Sequence, residues 1–252
     1  MTMLKFFRKI RQQLLQEGSF QKYLLYAIGE IALVMIGILL ALQVNNWNEN
    51  RKKLSAEKTI LKAIHSDFVV AKKELLNCKG ALLYQKAHLI PLIDWCKPSP
   101  PKIRQTEVDS LIRNSYALPT FDPAFAVLED LINTGRIEII QDTTLRALLS
   151  TWQGLLEESK RQELHQGGFL YNRFTPFIEE RVEFKHKWFS KDYQEVNFFE
   201  VDSRLLLGDF KFCNLLKRAH YWNYWVEKEY AVLEENMDSI ICLLYTSDAA
   251  DE

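Results

Sequence analysis

The chain has 252 residues, of which 48% are hydrophobic and 26% charged, and its formal net charge is −1. This balance excludes disordered, collagen-like and disulfide-scaffold classes, and near-equal numbers of acids and bases leave no electrostatic footprint for nucleic acid. Four cysteines, Cys78, Cys96, Cys213 and Cys242, fit neither a metal-ligand spacing nor a disulfide framework.

Residues 1–22 read as a basic amphipathic tail. Leu4, Phe6, Phe7, Ile10, Leu14 and Leu15 recur at helical spacing, while Lys5, Arg8, Lys9 and Arg11 crowd the other positions, a pattern suited to an anionic leaflet. Residues 23–44, YLLYAIGEIALVMIGILLALQV, would span about 33 Å as a helix, enough for a hydrocarbon core of about 30 Å. Only Glu30 is charged, and residues 31–42 carry no polar side chain on any face, whereas the helix of a soluble protein would show one every turn. Tyr23 and Tyr26 at one end and Trp47 at the other suit the two interfaces. Lys and Arg counts on the two flanks tie, so orientation rests on the basic tail: the expected place is the inner (cytoplasmic) membrane, crossed once, with the N-terminus inside and the main domain periplasmic. Gly29, Gly37 and Ala41 share one stripe for close helix packing, interrupted by Leu33, and Glu30 is an intramembrane carboxylate, so these four are the candidate helix-packing residues.

Residues 45–241 read as one helical extramembrane domain. Leu54, Leu61, Ile64, Phe68, Ala71, Leu75, Cys78, Leu82 and Leu89 follow steps of 3, 4 or 7, predicting a long helix continuing from the membrane to Pro91, its seam interrupted by Glu57 and Gln85. Residues 97–102 are a loop. Asp122-Pro123 predicts a helix start and Gly135 its end, residues 137–140 a connector or strand, and Asp142 the cap of the next helix, broken at Gly167-Gly168. Residues 169–204 show no clear period. Asp209 opens a last helix with Phe212, Leu216, Ala219, Asn223, Val226, Tyr230, Leu233, Met237 and Ile240 on its seam. With no sustained period-2 alternation, the fold class is all-α: one N-terminal transmembrane helix continuing into a long helix of a helical-bundle domain. The two long helices should pack antiparallel, with Leu54 level with Met237 and Cys78 beside Cys213.

Chemistry is hard to find. His65, His88, His165, His186 and His220 are scattered outside any metal or catalytic motif, and phosphate loops and nucleophile elbows are absent. Glu157, Glu158 and Glu163 near His165 read as a solvated face, and the aromatic run 220–225 reads as core packing in preference to the lining of a hydrophobic ligand or peptide groove, with its polar tips free to face a cleft. No catalytic residue, cofactor or metal is expected. The expected partners are the lipid bilayer and other membrane or periplasmic proteins, a second copy of the chain among them, but not nucleic acid.

The stretches KFFRKIRQQLL, KYLLYAIGEIALVMIGILLALQVNNWNENRK and FDPAFAVLEDLINTGRIEIIQDTTLRALLSTWQ resemble an uncharacterised family of bacterial single-pass membrane proteins known by a domain of unknown function. The resemblance implies one anchor and a helical domain, and no catalytic residues. Residues 242–252, CLLYTSDAADE, are similar to the translation of a transposon-end sequencing adaptor joined in frame, so their removal is expected to leave fold and stability unchanged. Function is expected to be that of a non-enzymatic interaction or sensory module. The alternative is an enzyme on a helical scaffold with a site not readable from sequence.

Overall fold

A computed structural model describes residues 20–116, 118–182 and 201–249. Every regular element among them is helical: α1 (Phe20–Trp95), α2 (Gln105–Asn114), α3 (Ala126–Asn133), a 3-10 turn (Arg136–Ile139), α4 (Thr143–Phe169), a π turn (Leu170–Phe174), α5 (Thr175–Glu179), a second 3-10 turn (Ser203–Gly208) and α6 (Phe210–Ala249). The all-α reading holds, and the N-terminal apolar helix continues into the helical domain. The basic tail lies mostly outside the described residues.

The chain divides into two units, Met1–Lys58 and Thr59–Glu252. Described residues of the first form a helix long and apolar enough to cross a membrane, with none of its apolar window buried. Gly29, Gly37 and Ala41 are exposed along it and Glu30 half-exposed, with open space beside both glycines.

In the second unit, α1 and α6 run antiparallel as the sequence predicts. Lys72 pairs with Asp238, Lys79 with Glu234, and Lys86 with Glu227 at 2.7 Å, so numbering rises along one helix as it falls along the other. The level differs from expectation. Met237 lies near residue 73 rather than Leu54, a slip of about five helical turns. Cys213 therefore meets Cys96, not Cys78, and the two form a disulfide with Cα atoms 5.7 Å apart. Seam spacing alone permits many levels. Polar groups select one of them: buried Gln85 donates to the Ser115 carbonyl (2.9 Å) and accepts from Asn223 Nδ2 (2.9 Å) and Gln166 Nε2 (3.4 Å), tying α1, α4 and α6 together. Such a layer is costly if half-satisfied and so discriminates between registers.

This layer separates two apolar clusters. One gathers Phe68, Leu75, Leu82, Phe121, Phe125, Trp152, Tyr230 and Met237; the other gathers Leu89, Leu92, Ile112, Phe174, Phe177, Leu207, Phe212 and Leu216. Several local expectations fail for packing reasons. Helix α1 passes through Pro91 to Trp95, and α4 passes through Gly167-Gly168. Gly167 is buried where a Cβ would stand 3.1 Å from Leu118 Cδ2, so the glycine there serves close approach, not a break. Asp122-Pro123 lies in a loop, and α3 begins three residues later with Phe125 at its N-cap. Of the two alternatives for residues 137–140 the connector holds: Arg136–Ile139 form a 3-10 turn with Ile140 at its C-cap. Helix α2 has no counterpart in the sequence reading. Leu244, within the stretch expected to be dispensable, is 3% exposed in the first cluster, one heptad beyond Met237.

Candidate functional site

Helix α4, the π turn that follows it and the N-terminal half of α6 line a groove of about 770 Å³, within the size range of small-molecule sites. A π turn shapes one wall. Pro176 has no N–H to give to the carbonyl four residues back, and its ring would crowd that carbonyl, so the helix widens at Leu170–Phe174 before α5 resumes. The widened turn carries Arg173 into the lining. Across from it, α6 presents Lys211, Leu215, Arg218 and Trp222 at steps of 4, 3 and 4, a stripe distinct from the core seam of Phe212, Leu216, Ala219 and Asn223. Asp209 begins this helix by accepting from the Phe212 N–H at 2.8 Å.

Electrostatics of the groove are one-sided. Arg173, Lys211 and Arg218 line it, no carboxylate does, and none of the three is in an ion pair among the described residues. Apolar surface sits between the charges: Phe169, Leu215 and Phe210, the last 82% exposed, and Trp222, on which His165 stacks with centroids 5.5 Å apart and planes 23° apart. Three cations around aromatic faces can hold an anion attached to a flat apolar body.

The aromatic run 220–225 thus lies mostly outside the core, so the preferred core-packing reading gives way to its alternative, a groove lining, at Trp222. Of its six residues Asn223 alone is buried; Tyr221 and Tyr224 are exposed, and Trp222 lines the groove. The 4-3-4 stripe of Lys211, Leu215, Arg218 and Trp222 is the signal that could have revealed this wall.

A second polar cluster lies at the same level of α4 on its core-facing side. Glu163, expected on a solvated face, is 6% exposed. Its carboxylate accepts from Tyr230 Oη at 2.7 Å and from the Phe121 N–H at 3.3 and 3.4 Å. Burial pushes the Glu163 carboxyl above its ordinary range, and the hydrogen bond from Tyr230 opposes that. Burial and the nearby Glu163 charge push the Tyr230 hydroxyl up. Burial, followed by Glu74 and Glu163, raises the Cys78 thiol, which donates to the Thr120 carbonyl at 3.4 Å. Glu163 and His165 do not converge: one points into the core, the other lines the groove.

No group of three or more metal-binding side chains occurs among the described residues. Gly29, Glu30, Gly37 and Ala41 all lie in the first unit, away from any of these groups in sequence.

No curated protein and no solved structure matches the chain. Residues 30–153, from Glu30 in the apolar helix to Gln153 in α4, match the model of the Family of unknown function (DUF6090), in keeping with the resemblance that the membrane-proximal and Asp122-Pro123 stretches carry.

Proposed function

We propose that the chain is a single-pass inner-membrane protein whose periplasmic domain is a non-enzymatic binding module for an anionic ligand with an apolar or aromatic body. The observation that carries this reading is the groove, where three cations and no acid surround Phe169, Phe210 and Trp222. The apolar helix supports the anchor. The Cys96–Cys213 disulfide supports an oxidising compartment, where such bonds persist, and so favours the periplasmic side. Gly29, Glu30, Gly37 and Ala41 are proposed as the face through which the anchor meets other membrane helices. An enzyme on this scaffold is the second reading, with Glu163, Tyr230 and Cys78 as its convergent ionisable groups. It is disfavoured because all three are buried and partnered within the core.

Binding is tested with the full chain in lipid nanodiscs and 1-naphthyl phosphate as probe, read by tryptophan fluorescence. The expected result is saturable quenching at least about ten-fold tighter than with 1-naphthol or inorganic phosphate, weakening with salt because exposed cations are screened. Arg173→Glu and Arg218→Glu should each abolish it. Equal affinity for 1-naphthol, or unchanged binding in both variants, would sink the proposal.

A further inference from the structure

Within the second unit, α1 turns Phe68, Ala71, Leu75, Cys78, Leu82, Gln85 and Leu89 to the core, so its opposite face should be polar. It is not. Val69, Leu76, Leu83 and Ile90 recur there at intervals of seven and are 45%, 45%, 54% and 40% exposed. Lys73, Gly80 and Ala87, also exposed, stand four residues after the first three, giving a 4-3 alternation over three heptads and about 32 Å. Val70 and Tyr84, 66% and 53% exposed, widen the face, and Lys73 is the sole charge among exposed residues of 66–90.

We infer that this face is the seam of a parallel, in-register dimer of two copies of the chain. A straight α-helix drifts about 20° per heptad against a strict seven-residue repeat, so such a repeat stays in line only against another helix supercoiled around it. The charges suit an identical partner. On one flank Lys72, Lys79 and Lys86 are each neutralised by Asp238, Glu234 and Glu227 of the same protomer, and on the other Val70, Asn77 and Tyr84 carry none. Apart from Lys73, whose two copies face each other at a single a position at some cost in stability, two such faces meet without like-charge repulsion, whereas a strongly acidic or basic partner finds little to pair with.

In heptad terms Val69, Leu76, Leu83 and Ile90 occupy d, and Lys73, Gly80 and Ala87 occupy a. Small residues at two a positions let the helices approach closely, and one lysine at a third is the kind of lone polar residue that sets register and strand number. Direction follows from the anchor reading: two copies inserted in the same sense start α1 from the same side of one bilayer, so their helices run parallel. The dimer is independent of the groove and stands or falls separately from ligand binding.

The test uses the full chain in native membranes with exposed Cys242 replaced by serine. Val69→Cys, Leu83→Cys and Ile90→Cys are compared under mild oxidation with Lys228→Cys, an exposed position on α6 away from the seam. All three seam variants are expected to give at least about ten-fold more crosslinked dimer than Lys228→Cys. Leu83→Glu, altering a residue exposed in the protomer, should make the purified chain monomeric by light scattering while its far-UV circular dichroism keeps the helix content of the unmodified chain. Crosslinking at the Lys228→Cys level, or a Leu83→Glu chain that remains dimeric, would overturn the dimer; crosslinking at Leu83 without Val69 and Ile90 would overturn the parallel register.

Discussion

Glu163 shows what burial does to one carboxyl group. Its folded pKa is raised, so between the ordinary carboxylate value and the folded value the native chain holds a proton that the unfolded chain has released. The associated stability is complete below the unfolded pKa and is lost as pH rises through the folded one. Glu163→Gln keeps the shape and cannot ionise, so its urea midpoint should gain on that of the unmodified chain as pH rises upward from the ordinary carboxylate range. A constant gap as pH rises would show that Glu163 does not titrate in this environment. Tyr230 supplies the hydroxyl that best satisfies the carboxylate. Tyr230→Phe removes this donor from a buried acceptor and should cost about 1–3 kcal/mol at neutral pH by urea denaturation, with a steeper loss toward high pH. The sequence hid the pair: Glu163 and Tyr230 are 67 residues apart, and Glu163 stands in a charge run that looks solvated.

At the scale of elements, α6 and its disulfide offer two measurements. Cys96–Cys213 closes a loop across a sequence separation of 117. Chain-entropy arguments give such a bridge up to about 5 kcal/mol, and paired Cys96→Ser and Cys213→Ser substitutions should lower the melting temperature by about 10 °C. Leu244→Ala, at a fully packed heptad position, should cost about 2–3 kcal/mol, and ending the chain after Ile241 should cost at least as much. An unchanged melt in the shortened chain would mean that the last turns of α6 do not pack. Legibility at this scale follows the range of the interaction. Asp142 caps α4 by accepting from the Thr144 and Leu145 N–H groups, Asp209 caps α6, and Gly135 takes the left-handed conformation after α3, all read from a few neighbouring residues. Pro91, Gly167 and Asp122-Pro123 mislead because packing against distant elements decides them. The level of α1 against α6 was illegible for a related reason: a repeating apolar seam matches itself at every heptad, and the Gln85–Asn223 contact that breaks the degeneracy is polar. The groove was half legible, as a cationic stripe on α6 whose facing wall depends on a π turn.

For the whole molecule, orientation is the first matter to settle. With the domain on the periplasmic side, protease added to spheroplasts should remove the residues beyond the apolar helix, and protection of the domain there would reverse the proposed topology. The same digestion exposes a consequence of the Cys96–Cys213 bond. Helices α2 to α5, including the groove wall that carries Arg173, lie between the two cysteines in sequence, while α1 and all of α6 beyond its first turn lie outside them. A backbone cut anywhere between residues 96 and 213 leaves both pieces covalently joined. A nicked chain should therefore migrate as a single band without reductant and separate into two fragments once reduced, and because α6 stays bonded to the end of α1, it should remain with the membrane fraction until that reduction and the unfolding of the α1–α6 pair release it.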